Sequence, residues 1–174
     1  MTGHAHAAAG GFFGALAGKA FGDPLAGAVI GALAGLLPDI DHPGSTVGRK
    51  APLIAAVLSG LFGHRTVTHT VWFCLVASLG LAFAGALLGV YAVTYVSWPG
   101  LPVLFAASLA GGLSHLALDA CTRSGVEPFA PLVLPGSLAR LNHIAGPLKT
   151  GDPLTELPAA LFFVLGALRI GGVL

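Results

Sequence analysis

GGFFGALAGKAFGDPLAGAVIGALAGLLPDIDH, Gly10 to His42, holds two apolar runs separated by the breaker Gly22-Asp23-Pro24. Glycine recurs at every fourth position in both: Gly10, Gly14 and Gly18, then Gly27, Gly31 and Gly35. That spacing puts a bare stripe along one face of each helix, which lets two membrane helices approach closely. A tight antiparallel hairpin is expected, its arms running from about Ala5 to Phe21 and from Pro24 to Leu37. Both arms are shorter than the roughly 20 residues of a comfortable crossing, so tilt, local thinning or partial immersion is expected with them. Pro38, which cannot supply an interior helix hydrogen bond, ends the second arm.

Composition sets the solvent of this hairpin. Of 174 residues, 55% are hydrophobic and 9% charged, with a mean hydropathy of +0.88. A soluble domain carries about 25% charged residues. The chain reads as an all-α integral membrane bundle, one domain spanning residues 1–174. A net charge of +1 gives no basic face for nucleic acid. Cys74 and Cys121 lie in apolar helical stretches and read as buried free thiols. The opening MTGHAHAAAG lacks the basic start of a secretory signal and reads as mature protein.

Working outward, a polar loop follows over 38–50. Ala51 to Gly63 is too short to cross and reads as an interfacial or re-entrant helix. Apolar runs from Thr70 to Val96, from Leu101 to about Cys121 and from Leu154 to Leu174 complete about five spanning or partly spanning helices. A loop rich in proline and glycine fills 122–153. Simple alternation of direction then brings every polar cluster to one membrane face.

Four such clusters carry the chemistry: His4 and His6; Asp39, Asp41 and His42; His64 and His69; His115 and Asp119. His115 and Asp119 stand four apart, one turn apart on the same helix face. His64 and His69 suit a kinked helix entrance, with Thr68 as a cap or as the partner of a ligand. Asp39 and Asp41 sit between Pro38 and Pro43 on constrained backbone. Crowded carboxylates repel unless cations neutralise them, and ionisable groups in membrane segments point to function by default. Mixed histidine and aspartate donors suit zinc, with manganese or iron as alternatives. A pair of ions about 3.5–4 Å apart would activate water and clamp an in-line displacement. Read singly, each of these residues has a structural alternative: Asp39 can cap a helix, and Asp119 can pair with Arg123.

LLPDIDHPGSTVGR, GHRTVTHT, GGLSHLALDACTRSGVEPFAP and KTGDPLTE, after an N-terminal HAAAGGFFG, resemble the YdjM-like family of membrane-bound metal-dependent hydrolases, over nearly the whole chain. The resemblance implies a bacterial or archaeal inner-membrane, multi-pass protein. Carried over by motif, it implies ligands at His6 (with His4 as second choice), Asp39, Asp41, His64, His69, His115 and Asp119, and a role for Glu156 as ligand or general base. A more distant similarity is to zinc-dependent phospholipase C and related single-strand nucleases. This chain lacks their second His-x-x-x-Asp or Glu pair, because Pro147 stands four residues after His143. Two metal ions are therefore expected rather than three.

The expected activity is hydrolysis of a phosphoester in a phospholipid or lipid-linked substrate by metal-activated water. Arg65 is the expected phosphate clamp because guanidinium binds phosphate bidentately; Arg49 is second, and Thr68 a further substrate contact. A divalent-metal transporter and a non-catalytic protein with a structural metal are the rivals, and an amidase or protease uses the same activated water. His42 is open to reading as ligand, ligand partner or bystander. Arg49, Lys50, Arg65, Arg123, Arg140 and Lys149 on the clustered face, against Lys19 and Arg169 on the other, predict a cytoplasmic site.

Overall fold

Asp23 begins the second arm of the hairpin by accepting a hydrogen bond from Ala26 N at 3.0 Å, a side-chain cap on the helix that Pro24 opens. In the computed structural model this helix is α2, Pro24–Ala34, and it follows α1, Gly3–Ala20. Further along are α3 (Pro52–Phe62), α4 (Val71–Ala92), α5 (Leu101–Ala120) and α6 (Pro153–Ile170). The structure describes residues 1–63, 65–92 and 100–174. The ligand expected at His64 and the last residues of the expected 70–96 run lie outside them. Among the described residues there are six α-helices and no strand, the all-α class that the hydropathy pattern dictates.

The glycine stripe does what its spacing requires. A Cβ on Gly14 would stand 2.2 Å from the carbonyl oxygen of Gly27, and one on Gly10 2.3 Å from that of Gly31. No side chain fits there, so α1 and α2 pack backbone to backbone. A third helix joins at the same point: a Cβ on Gly111 of α5 would lie 2.3 Å from Gly31 O. α1 is thus central, packed on α2, α5 and α6. Phe12 and Phe13 meet Phe162 and Phe163 of α6, with ring centroids 5.6–6.0 Å apart.

Among the described residues, four stretches are long and apolar enough to cross a membrane: 24–41, 71–89, 101–120 and 153–170. α1 is the fifth long helix, with its glycine face buried in the bundle. The expected interfacial segment is α3, where Leu53, Ile54, Val57, Leu61 and Phe62 are exposed and Ala55 is buried. The 122–153 stretch, expected as a loop, carries one 3-10 helix, Gly136–Leu141, and is held by long-range bonds. Val126 and Ile144 exchange backbone hydrogen bonds of 2.9 Å, and the Asn142 side chain closes a turn on Leu134 N and O. One expectation is corrected here. Cys74 is buried, but Cys121 is exposed, because α5 ends at Ala120 and the thiol sits on the turn beyond it.

Candidate metal centre

Pro38 turns the chain out of α2 into a single 3-10 turn, Leu37–Asp41, which carries Asp39 and Asp41. Ser45 braces it from outside: its hydroxyl donates to Asp39 O at 2.7 Å and accepts from Gly48 N at 2.8 Å. A second 3-10 turn, Val67–His69, delivers Thr68 and His69 at the entrance of α4. The last turns of α5 supply His115 and Asp119, and the first turn of α1 supplies His6. All of these meet at one end of the bundle.

His6, His69, His115 and Asp119 have no exposed surface, and Asp41 is 1% exposed. Two donor groups result among the described residues: Asp39, His69 and His115, and His6, His115 and Asp119. In the first, His69 Nε2 lies 3.2 Å from His115 Nε2, and Asp39 Oδ1 lies 3.5 Å and 3.7 Å from the two nitrogens. Ligand bonds of about 2.0–2.2 Å in tetrahedral zinc sites put donors roughly 3.3–3.5 Å apart. The triangle therefore has the dimensions of one face of such a site. Asp119 Oδ2 stands 3.7 Å from both imidazole nitrogens.

The tautomers follow from the partners. His115 Nδ1 is 2.7 Å from Gly35 O, and a carbonyl only accepts, so the proton is on Nδ1. Thr68 donates its one hydroxyl proton to Asp41 Oδ2 at 2.6 Å. Its oxygen, 3.0 Å from His69 Nδ1, then accepts from that nitrogen. With both Nδ1 atoms bonded outward, the two Nε2 atoms face each other across 3.2 Å. A cation or a shared proton between them makes that arrangement favourable. A carbonyl or hydroxyl on the outer nitrogen is also the support that metal-binding histidines receive.

Asp119 is the most contested group. Its carboxylate takes the Met1 amino group and His6 Nε2 on Oδ1, the latter at 3.2 Å, while Arg65 Nη2 approaches Oδ2 at 2.9 Å. That approach is an ion pair without hydrogen-bond alignment, and Oδ2 makes no well-formed hydrogen bond among the described residues. His6 Nε2 also meets Met1 O at 3.1 Å, which places its proton there, and its buried Nδ1 lacks a hydrogen-bond partner among the described residues. The ring stacks on His115 with centroids 3.6 Å apart.

The other expected site residues fall around this core. Arg65 has φ of 64°, a left-handed backbone uncommon for a side-chain-bearing residue. Its N–H donates to Asp41 Oδ2 at 3.0 Å and its guanidinium reaches Asp119 and Ser124. The pairing of Asp119 with Arg123 does not occur; Arg123 Nε donates instead to Pro147 O. Thr68 is buried, with its hydroxyl committed to Asp41 and His69, away from any substrate contact. Asp41 braces Thr68 and Arg65 and belongs to neither donor group among the described residues. Glu156 is spent on structure: it accepts from Thr2 N and Oγ1 and, at 2.8 Å, from Gly151 N, tying α6 to the start of α1. His4 and His42 are exposed. Sequence reasoning gave no role to Ser45, Ser124 or the Gly35 carbonyl, although Ser45 stands inside LLPDIDHPGSTVGR and Ser124 inside GGLSHLALDACTRSGVEPFAP.

Above the donors lies a cleft of about 290 Å³ lined by Asp39, His42, Ser45, Arg49 and Arg65. Asp39, 16% exposed, is the donor that faces it. Arg49 hangs at the rim, with Nη1 on Gly44 O at 2.7 Å.

Comparison with known proteins places the chain. It is 36% identical over 109 residues to the uncharacterized protein YvsG of Bacillus subtilis, covering 63% of this chain and 59% of that one. With the inner membrane protein YdjM of Escherichia coli it shares 33% identity over 100 residues, 58% of this chain and 44% of that one. The matched part thus spans about half the length of these relatives. No solved structure matches. The family model for YdjM inner membrane protein matches residues 1–173, and the chain belongs to that family.

Proposed function

We propose that this protein is a metal-dependent hydrolase of the membrane surface, acting on a phosphoester of a phospholipid or lipid-linked substrate. The observation that carries the reading is the pair of facing Nε2 atoms, 3.2 Å apart and flanked by Asp39, which itself lines a cleft that holds two arginines. Zinc is the proposed metal. The Asp39–His69–His115 triangle would hold one ion. His115 has a single nitrogen not bonded to Gly35 O, so it would serve one ion only, and a second ion would be held by His6 and Asp119. When bound, the metal supplies Lewis acidity and a water acidic enough to ionise near neutral pH.

The residues do the rest. Arg65 and Arg49 bind the phosphate and orient it over Asp39. Thr68 and the Gly35 carbonyl keep both imidazoles in the ligating tautomer. Asp41 holds Thr68 and the Arg65 backbone, and thereby the position of the clamp. A purely structural ion is the rival reading, favoured by the full burial of His6, His69, His115 and Asp119. The cleft that reaches Asp39 favours access by substrate. The cation excess of this end argues for a cytoplasmic site in the inner membrane.

Elemental analysis of the purified protein, with a screen of phosphodiesters and phospholipids, tests the reading. We expect zinc in the wild type, loss of it in His115→Ala and Asp119→Ala, and hydrolysis that a chelator abolishes and zinc restores. Full metal content in both variants would sink the proposal.

A further inference from the structure

The left-handed turn at Arg65 sends neighbouring side chains to different places. Arg65 lines the cleft above the donors, while Thr66, the next residue, lines a second cavity of about 440 Å³. Consecutive Cα atoms are about 3.8 Å apart, so one residue of backbone separates the two. The second cavity is apolar: Val67, Trp72, Phe73 and Val76 form one wall, Ala130 and Pro131 the other. Its walls are joined at the start of α4. Val71 N donates to Pro128 O at 2.9 Å, and Trp72 Nε1 to Phe129 O at 3.3 Å.

One wall carries Trp72, Phe73 and Val76 of a helix long and apolar enough to cross a membrane, Val71–Gly89. The other belongs to a loop at the polar end of the bundle. Leu132, Val133 and Leu138 of that loop are 54%, 83% and 50% exposed. The charged residues of this loop, 122–153, are Arg123, Glu127, Arg140, Lys149 and Asp152, a net charge of +1. Glu127 on the rim stands 3.9 Å from His143 Nδ1. An apolar slot beside a cationic, apolar-tipped loop suits an amphiphile with a long chain and a negative head.

We propose that this groove seats an acyl chain of an anionic phospholipid, with the head group beside Arg65. The proposal rests on the reading of the cleft as a lipid-phosphoester site and identifies how the lipid would be held. It is tested without turnover. The full chain is delipidated in detergent, titrated with phosphatidylglycerol, and the lipids retained are counted by native mass spectrometry.

We expect one saturable lipid in the wild type and at least tenfold weaker retention in Val76→Trp, which fills the groove. Val29→Trp, at an equally lipid-facing position on α2, should retain it. Val67→Trp serves as a second filling variant should Val76→Trp fail to elute as a single species. Wild-type retention in the filled variants, or equal loss in Val29→Trp, overturns the groove. Equal retention of phosphatidylcholine overturns the anionic head group. A groove that binds while no phosphoester is hydrolysed leaves this inference standing and removes the hydrolase reading alone.

Discussion

Thr68 makes two bonds from one oxygen, and through them it decides what His69 presents to the cluster. It donates to Asp41 at 2.6 Å and accepts from His69 Nδ1 at 3.0 Å. Removing such a support from a ligating histidine typically costs 10- to 100-fold in metal affinity. Thr68→Val should therefore weaken zinc binding by about that factor, whereas Thr68→Ser should keep it near wild type. A competition titration against a chromophoric chelator reads both, and equal affinities in the two variants would remove Thr68 from the ligand's support. The donor types were legible in the sequence at this scale, because His115 and Asp119 are one turn apart on any helix. Their tautomers were not, since the partner of His115 Nδ1 is a backbone carbonyl 80 residues away in the chain.

At the scale of elements, the hairpin depends on glycine as an absence of side chain. Gly14→Ala would push a methyl to 2.2 Å from Gly27 O, and α1 and α2 would have to separate. Overpacking of this kind costs roughly 1–3 kcal/mol, so a clear drop in thermal midpoint in detergent is expected. Gly60, inside α3, meets nothing within 4 Å. Gly60→Ala should instead gain about 0.5–1 kcal/mol from the lower backbone entropy of alanine. Thermal unfolding of the two variants side by side distinguishes contact from propensity; matched shifts would show that the stripe is not a packing surface. The stripe was readable because its period is that of a helix face. That α5 would enter the same contact through Gly111 was not, because a lone Gly-Gly pair in an apolar run does not say which helix it meets.

For the whole molecule, the exposed Cys121 at the polar end of α5 and the buried Cys74 make the native chain its own topology reporter. With the site on the cytoplasmic face, a membrane-impermeant maleimide should label Cys121 in inverted vesicles and leave it unlabelled in intact cells. Cys121→Ser should lose the label in both. Labelling of intact cells would place the cluster on the outer face and would reassign Arg49 and Arg65 from topology to substrate. The convergence of every cluster on one end was legible from alternation of direction alone. How the charges pair there was not: Arg65, not Arg123, reaches Asp119.

By itself the sequence determined the solvent, the helices and the end of the bundle where chemistry gathers. Hydropathy, glycine spacing and proline positions are local quantities, and they act within a few residues. Only the tertiary structure decided that Glu156 ties down Thr2, that His6 stacks on His115, and that Asp39 is the donor facing the cleft. Those outcomes depend on which backbone and side-chain groups from distant turns share a few cubic ångströms. Residue type limits what each group can do there, but packing chooses its neighbours.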